Sequence, residues 1–138
     1  MQSIILDTNI VVSALIQKSY PHYIVFDYVL CERVKIYLSE SLMSEYREVL
    51  SRPKFTQITD FMSNAEIVLS RFEKIALFYK PKIHLNIIKD INDNRLLELA
   101  YESNADFLIT GNSVDFTMTH YENTQIISPR IFWEMQIQ

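Results

Sequence analysis

The chain has 138 residues, a length typical of one domain, and 49% of them are hydrophobic while 22% are charged. This composition indicates a globular fold and excludes an intrinsically disordered chain. The single glycine excludes glycine-rich phosphate loops and the nucleophile elbow, because each of these motifs needs at least two. The single cysteine excludes an intrachain disulfide and argues against a thiolate zinc site. We predict one domain over residues 1–138.

The formal net charge is −4, whereas a simple nucleic-acid binder is normally basic. Two interpretations stay open: either nucleic acid is not the partner, or the acidic residues are concentrated where a cation binds them. No uncharged stretch approaches the length of a membrane span, and Asp7 interrupts the N-terminal apolar run. The sequence therefore predicts no membrane association and no signal peptide, and a reducing cytoplasm is the expected location.

The first half of the chain shows the periodicities of alternating strands and helices. Ser39 is a suitable helix N-cap, and the Arg52–Pro53 pair is a suitable helix stop. The predicted elements, in chain order, are the strand Ser3–Leu6, the helices Ile10–Ile16 and His22–Leu30, the strand Val34–Leu38 and a helix from Ser39 to about Leu50.

The second half continues the alternation. Ser63 and Glu66 have the spacing of a capping box, Asn92 is a predicted N-cap, and Ser128 followed by Pro129 predicts a helix start. The predicted elements are a helix from Ser63 to about Phe78, a short strand or extended loop at Ile83–Ile88, a helix from Asp93 to about Ser103, the strands Phe107–Ile109 and Gln125–Ile127, and a final helix that includes Ile131–Met135.

This alternation predicts an α/β fold in which helices cover both faces of a mainly parallel sheet. Such sheets bind ligands beyond the carboxyl ends of their strands, and acidic residues are expected there. Asp7 directly follows the first strand, and Glu45 lies within or beside the apolar stripe of its helix. Asp93 lies on the buried face of its helix in the first turn, and Asn112 and Asp115 follow the strand Phe107–Ile109.

Each acid also has an ordinary structural interpretation. Asp7 and Asp93 suit helix N-termini, Glu45 could pair with Arg47 or Arg52, and the turn at Gly111 could be a plain one. Together, however, converging carboxylates repel each other, so either their pKa values rise or a cation binds them. Oxygen ligands favour Mg²⁺ or Mn²⁺ over zinc. The candidate metal ligands are Asp7, Glu45, Asp90, Asp93, Asn112 and Asp115.

Several blocks of the sequence resemble the PIN domain family, in the correct order and over nearly the whole chain. The opening Asp7-Thr8-Asn9 is similar to the family's D-T-N motif after the first strand. The segments that resemble the later acidic motifs and the closing strand and helix are Ser44–Leu50, Asp90–Ala100, Ala105–Asn112 and Ile126–Phe132. The resemblance extends to the toxins of bacterial toxin–antitoxin pairs.

The resemblance implies an α/β/α sandwich and a metal-dependent ribonuclease in which Asp7, Glu45 and Asp93 bind Mg²⁺ or Mn²⁺ and carry out catalysis. It also implies a cognate antitoxin that blocks the site, and often a homodimer. One position departs from the family pattern: many members have aspartate where this chain has Asn112. An amide oxygen can coordinate a metal but carries no charge, so Asp115 or Asp90 would have to restore it.

An RNA substrate needs cationic and hydrogen-bonding groups near the acids. The interpretation of Asn9 is that it orients Asp7 and the turn rather than binding metal. The candidate substrate-binding residues are Thr8, Asn9, Arg47, Arg95 and Ser113.

Two other functions remain as alternatives. A PIN-like module with a weakened metal site could bind RNA or a protein partner without cutting, and Asn112 motivates this hypothesis. Phosphotransfer domains of receiver or haloacid-dehalogenase type also cluster acids at strand ends. The sequence disfavours them, because no lysine follows the strand Phe107–Ile109 and Asp7 does not begin a D-x-D motif.

Overall fold

A computed structural model describes residues 1–111 and 118–137. In this part of the chain, six strands form one sheet, and every neighbouring pair is parallel except the last, which is antiparallel. The strands are β1 (Ser3–Leu6), β2 (Lys35–Leu38), β3 (Leu77–Phe78), β4 (Phe107–Ile109), β5 (His120–Tyr121) and β6 (Thr124–Ile127). Their order across the sheet is β3-β2-β1-β4-β6-β5, which confirms the predicted α/β fold with a mainly parallel sheet.

Helices flank the sheet, and two of their predicted starts are confirmed. The side chains of Ser39 and Ser128 accept hydrogen bonds from the backbone N–H groups of Leu42 and Ile131, so both serines are N-caps. No helix in the described part of the chain combines the length and apolar character that crossing a bilayer requires. The helices are α1 (Thr8–Ile16), α2 (Tyr20–Tyr23) with a π-helical continuation (Ile24–Val29), α3 (Glu40–Leu50), a 3₁₀ turn (Pro53–Phe55), α4 (Phe61–Ile75), α5 (Ile91–Ser103) and α6 (Pro129–Gln136).

The core forms where the apolar patterns predict it. Every residue of β1 is buried, as expected for a strand covered on both faces. The largest fully buried side chains include Tyr46 from α3, Phe61 and Phe72 from α4, and Phe132 from α6. Because β1 lies inside the sheet, between β2 and β4, the residue that follows it begins in a buried environment.

The predicted boundaries of α4 were wrong at both ends. The helix begins after Asp60, which has a φ of 63°, and the Ser63 hydroxyl donates to the Asp60 carbonyl instead of forming a capping box with Glu66. The helix ends at Ile75, and the next apolar residues form β3. A short apolar run fits a helix or a strand equally well, and pairing with β2 decides in favour of the strand.

The N-cap of α5 also differs from the prediction. Asp90 occupies the cap position, and its side chain accepts a hydrogen bond from the backbone N–H of Asn92 at 2.8 Å. Asn92 therefore lies inside the first turn and is not the cap. Residues 83–88 adopt no regular structure, so of the two alternatives for this segment the loop is correct. The antiparallel strand β5 was not predicted.

Candidate active site

Asp7 leaves the sheet beside Thr110, because Leu6 of β1 is paired with Ile109 of β4 and the next residue of each strand continues that register. The Thr110 hydroxyl donates a hydrogen bond to Oδ2 of Asp7 at 2.7 Å. Both side chains are buried, with 6% of Asp7 exposed. Asp7 occupies the N-cap position of α1 but makes no capping hydrogen bond of normal geometry with its side chain. Its carboxylate is thus held mainly by a neighbouring strand.

Helix α3 is attached to the same corner at two points. The buried hydroxyl of Thr8 donates to Oε2 of Glu45, and the buried hydroxyl of Tyr46 donates to the carbonyl of Leu6. These two contacts fix the side of α3 that carries Glu45 against the carboxyl end of β1. Glu45 is therefore beside the residue after Asp7, as its place at the edge of the apolar stripe predicts.

The environment of these two carboxyl groups disfavours their charged forms. Burial raises the pKa of Asp7, and Asp90 raises it further, although the Thr110 hydroxyl and the N–H groups of Asn9 and Thr8 partly oppose the shift. Burial also raises the pKa of Glu45; the hydrogen bond from Thr8 opposes that shift, and the charges of Asp7, Asp90 and Glu48 add to it. Among the described residues, neither carboxylate forms a salt bridge.

The first turn of α5 contributes two further acids. Asp90 is exposed at the cap, and Asp93 is buried on the face predicted from the spacing of Leu96, Leu97 and Ala100. Asn94, which is 1% exposed, holds this region in place. Its Oδ1 accepts from the N–H groups of residues 87 and 88, and its Nδ2 donates to the carbonyls of residues 88 and 90.

The candidate metal ligands are only partly brought together. The charge of Asp90 raises the pKa of both Asp7 and Glu45, so these three acids belong to one corner. In residues 1–111 and 118–137, however, no group of three or more acidic, histidine or cysteine side chains is arranged to hold a metal ion. The predictions for Asn112, Ser113 and Asp115 fall outside the described residues. The oxygen donors of the corner nevertheless fit a hard cation, since like charges there lack a salt-bridge partner within the described part.

The candidate arginines have other partners. Arg47 forms a salt bridge of 2.9 Å with Glu73 of α4, and it lies two residues, about 200° around α3, from Glu45. Arg95 is half-buried, pairs with Glu98 at 2.6 Å and donates to the Leu85 carbonyl at 2.8 Å. Arg52 pairs with Glu48. The alternative interpretation of Glu45, a salt bridge to Arg47 or Arg52, was therefore wrong.

Sequence reasoning missed three residues of this corner. In the sequence, Thr110 and Tyr46 are marked only by being next to candidate residues. Asn94 is marked only by its place in a polar run. Strand register, available only from pairing, places Thr110 next to Asp7. The neighbouring Gly111 does not use the freedom of a glycine: its φ is not positive, and a Cβ added there would meet no described heavy atom within 4 Å.

Comparison with known proteins identifies a family and shows similarity to individual proteins. The family model described as "PIN domain" matches residues 3–113, a range that includes Asp7, Glu45 and Asp93. The uncharacterized protein MJ1680 of Methanocaldococcus jannaschii is 28% identical over 109 residues, which cover 79% of this chain and 70% of that protein.

A solved structure with a similar fold is a chain from the crystal structure of VapBC2 from Rickettsia felis bound to a DNA fragment from their promoter. It has a TM-score of 0.59 and 19% sequence identity, and the match covers 92% of this chain and 98% of that chain. At this identity the similarity concerns the fold.

Proposed function

The chain belongs to the PIN domain family, and from this premise we propose that it is an endoribonuclease that uses Mg²⁺ or Mn²⁺ to hydrolyse RNA phosphodiester bonds. One observation carries the proposal. Asp7 and Glu45 are held side by side at the carboxyl edge of the sheet, with raised pKa values and no salt-bridge partner among the described residues. A bound cation would stabilise the charged forms of two such carboxylates, which the protein alone disfavours.

Asp7, Glu45 and Asp93 are the residues that would hold the metal, with Asp90, Asn112 and Asp115 as further candidates. When bound, a divalent metal supplies an acidified water and a positive charge that stabilises the phosphate in the transition state. The protein supplies orientation. Thr110 donates to one oxygen of Asp7 and so fixes the plane of its carboxylate, while Thr8 does the same for Glu45. Hydroxyl donors of this kind orient ligands without neutralising them.

We place this activity in a toxin–antitoxin pair. Two observations support this placement: the resemblance of the sequence blocks to bacterial toxins, and the fold match to a chain of VapBC2, which was crystallised with promoter DNA. The partner would be an antitoxin protein that covers the acidic corner, and a homodimer is the expected assembly. The net charge of −4 is consistent with acidic residues that are concentrated where a cation binds.

The test is RNA cleavage by the purified protein in Mg²⁺ and in Mn²⁺, with EDTA as the metal-free control. An Asp93→Asn variant should lose cleavage, because it removes a charge from the proposed site while leaving a side chain of the same size. The exposed Asp27→Asn variant, which removes a charge elsewhere, should cut like the wild type. Equal cutting in EDTA, or full activity of the Asp93 variant, would contradict the proposal.

The second candidate is a module that binds RNA or a protein partner without cutting it. It is favoured by the lack of a ready three-acid cluster in the described residues and by the neutral Asn112. This module would bind RNA equally well in EDTA and in Mn²⁺. Failure of folded protein to cut several RNAs in either metal, with binding retained, would establish the second candidate and exclude the first.

A further inference from the structure

A cavity of about 400 Å³ lies at the same edge of the sheet as the acidic corner, next to β2 and β3. The strand registers place it. Ile4 of β1 pairs with Ile36 of β2, so Ser39 follows β2 at the level of Asp7, and Tyr79 follows β3 at the level of Ser39. Ser39 and Tyr79 both line the cavity. Neighbouring strands are about 4.8 Å apart, so its walls lie roughly 5 and 10 Å along the edge from Asp7.

The cavity combines aromatic surface with hydrogen-bonding groups. Phe78 is 44% exposed although it is a large apolar side chain, and the Tyr79 ring lies against Tyr37 with a centroid distance of 4.9 Å. An exposed aromatic face beside a cavity of this size suits a flat ring. The volume also falls within the range of ordinary small-ligand sites.

The charges of the lining are balanced, in contrast to those of the acidic corner. Arg95 pairs with Glu98, and the buried Nε of Arg95 has no hydrogen-bond partner among the described residues. Lys80 is exposed and forms no ion pair within the described part, and Glu40, also exposed, carries the opposite charge. The cavity thus offers an exposed cation, a buried donor and an acceptor around an aromatic surface.

We propose that this cavity, which we name the β3 cavity, binds one nucleotide of single-stranded RNA next to the phosphate at the acidic corner. This inference rests on the proposed function and adds a substrate subsite to it. The base stacks on Phe78, and Lys80 pairs with a backbone phosphate. Base stacking on an exposed aromatic ring tolerates different bases, so the β3 cavity contributes affinity more than sequence selection.

The test measures binding of a short fluorescein-labelled single-stranded RNA by fluorescence anisotropy in EDTA, where metal-dependent cutting cannot occur. The Phe78→Ala variant should bind about tenfold more weakly or worse, because it removes one stacking contact. The Lys80→Gln variant should bind more weakly and reduce the slope of log K against log salt concentration by about one. Both side chains are exposed, so neither substitution removes core packing.

Matched controls lie in the same segment. Leu77 is 46% exposed, next to Phe78 in the same strand and therefore on the opposite face of the sheet, so Leu77→Ala should bind RNA like the wild type. Lys82 is exposed but does not line the β3 cavity, so Lys82→Gln should keep the wild-type salt slope more closely than Lys80→Gln. Equal losses in a variant and its control would overturn the assignment of the cavity.

Cleavage kinetics separate this proposal from the proposed function. If the protein cuts RNA, Phe78→Ala should raise KM and leave kcat unchanged, since the ring lies away from the reacting bond. If Phe78→Ala cuts RNA with the wild-type KM and binds it with the wild-type affinity, the RNA subsite in the β3 cavity is overturned and the nuclease activity is not. The same result is expected if a protein partner, and not RNA, occupies the β3 cavity. No cutting, but RNA binding that Phe78→Ala weakens, would support the cavity and overturn the nuclease. If the folded wild-type protein binds no RNA, the proposal that the β3 cavity binds RNA is overturned.

Discussion

The acidic corner and the β3 cavity lie on one edge of one sheet but handle charge in opposite ways. At the corner, Asp7 and Glu45 are held by hydroxyl donors and lack salt-bridge partners among the described residues. In the cavity, Arg95 and Glu98 neutralise each other at 2.6 Å. The same edge of the sheet therefore presents two kinds of surface: one whose carboxylates have no salt-bridge partner among the described residues, and one whose charges balance each other.

The difference follows from which residues leave each strand. β1 and β4 are followed by the polar residues Asp7 and Thr110, which hydrogen-bond to each other, and α3 adds Glu45, which accepts from Thr8. β2 is followed by Ser39, which caps α3, and β3 is followed by the aromatic Tyr79. Carboxylates that repel each other store free energy that a bound cation releases, whereas a balanced and partly aromatic surface suits a neutral base.

The largest expected effect comes from removing one charge of the corner. Glu45→Gln should reduce RNA cleavage by at least about 100-fold, because it weakens metal binding at the proposed site. Glu48→Gln is the matched control: Glu48 lies on the same helix, is exposed and pairs with Arg52, so its loss should leave cleavage near the wild-type rate. Equal activity of the two variants, measured with the same RNA and Mn²⁺, would remove Glu45 from the site.

The next effect tests Asn94, which holds the segment before α5 in place. Asn94→Ala removes a buried side chain that bonds to the backbone at residues 87, 88 and 90, and it leaves those groups without these partners. We expect a loss of about 2 kcal/mol in unfolding free energy and weaker cleavage, because the segment that holds Asp90 is released. Asn92→Ala, an exposed neighbour, should leave the melting temperature unchanged. Indistinguishable melting curves would contradict this role of Asn94.

A smaller effect is expected at the contact between α3 and β1. Tyr46→Phe deletes the hydroxyl that donates to the Leu6 carbonyl and leaves the ring in place. We expect a loss of about 1 kcal/mol in urea unfolding, together with reduced cleavage. The exposed Tyr101→Phe variant should retain the stability and activity of the wild type. A Tyr46 variant that is as stable and active as wild type would show that this contact does not position Glu45.

The smallest expected effect is a dependence of stability on pH without metal. The pKa of Asp7 is raised by folding, so its contribution to stability is fully present below its unfolded value near 3.8 and is lost as pH rises through the folded value. In EDTA at neutral pH, Asp7→Asn should therefore melt at a higher temperature than the wild type. The difference should shrink as the pH is lowered towards 3.8. A variant that melts lower at neutral pH would contradict the raised pKa.

The sequence was sufficient to predict the family, the α/β class and four of the six strands in the described part of the chain. Ser3–Leu6 and Phe107–Ile109 were correct strands because short apolar runs followed by polar residues suit buried parallel strands. The PIN family inferred from the order of the acidic blocks is confirmed by the match over residues 3–113. Helical periodicity predicted a buried position for Asp93 and a position at the edge of the apolar stripe for Glu45, and the structure confirms these positions. Their roles as metal ligands stay predictions.

The remaining features depend on contacts between distant segments. β3 is formed by pairing with β2, and no local pattern separates its two residues from the end of α4. The bond between Thr110 and Asp7 joins residues 103 positions apart. The salt-bridge partner of Arg95 also depends on packing. Helical spacing places several residues within its reach, and in the structure the partner is Glu98. The predicted ligand and substrate roles stay predictions, including those of Asn112, Ser113 and Asp115, which lie outside the described residues.

The most direct test of the central claim is calorimetric titration of the metal-free protein with Mn²⁺. We expect the wild type to bind Mn²⁺, Asp7→Asn and Glu45→Gln to bind it at least about tenfold more weakly, and Lys80→Gln in the β3 cavity to bind it like the wild type. Unchanged Mn²⁺ affinity in both acidic-corner variants, or no binding by folded wild-type protein, would contradict the claim that this corner is a cation site.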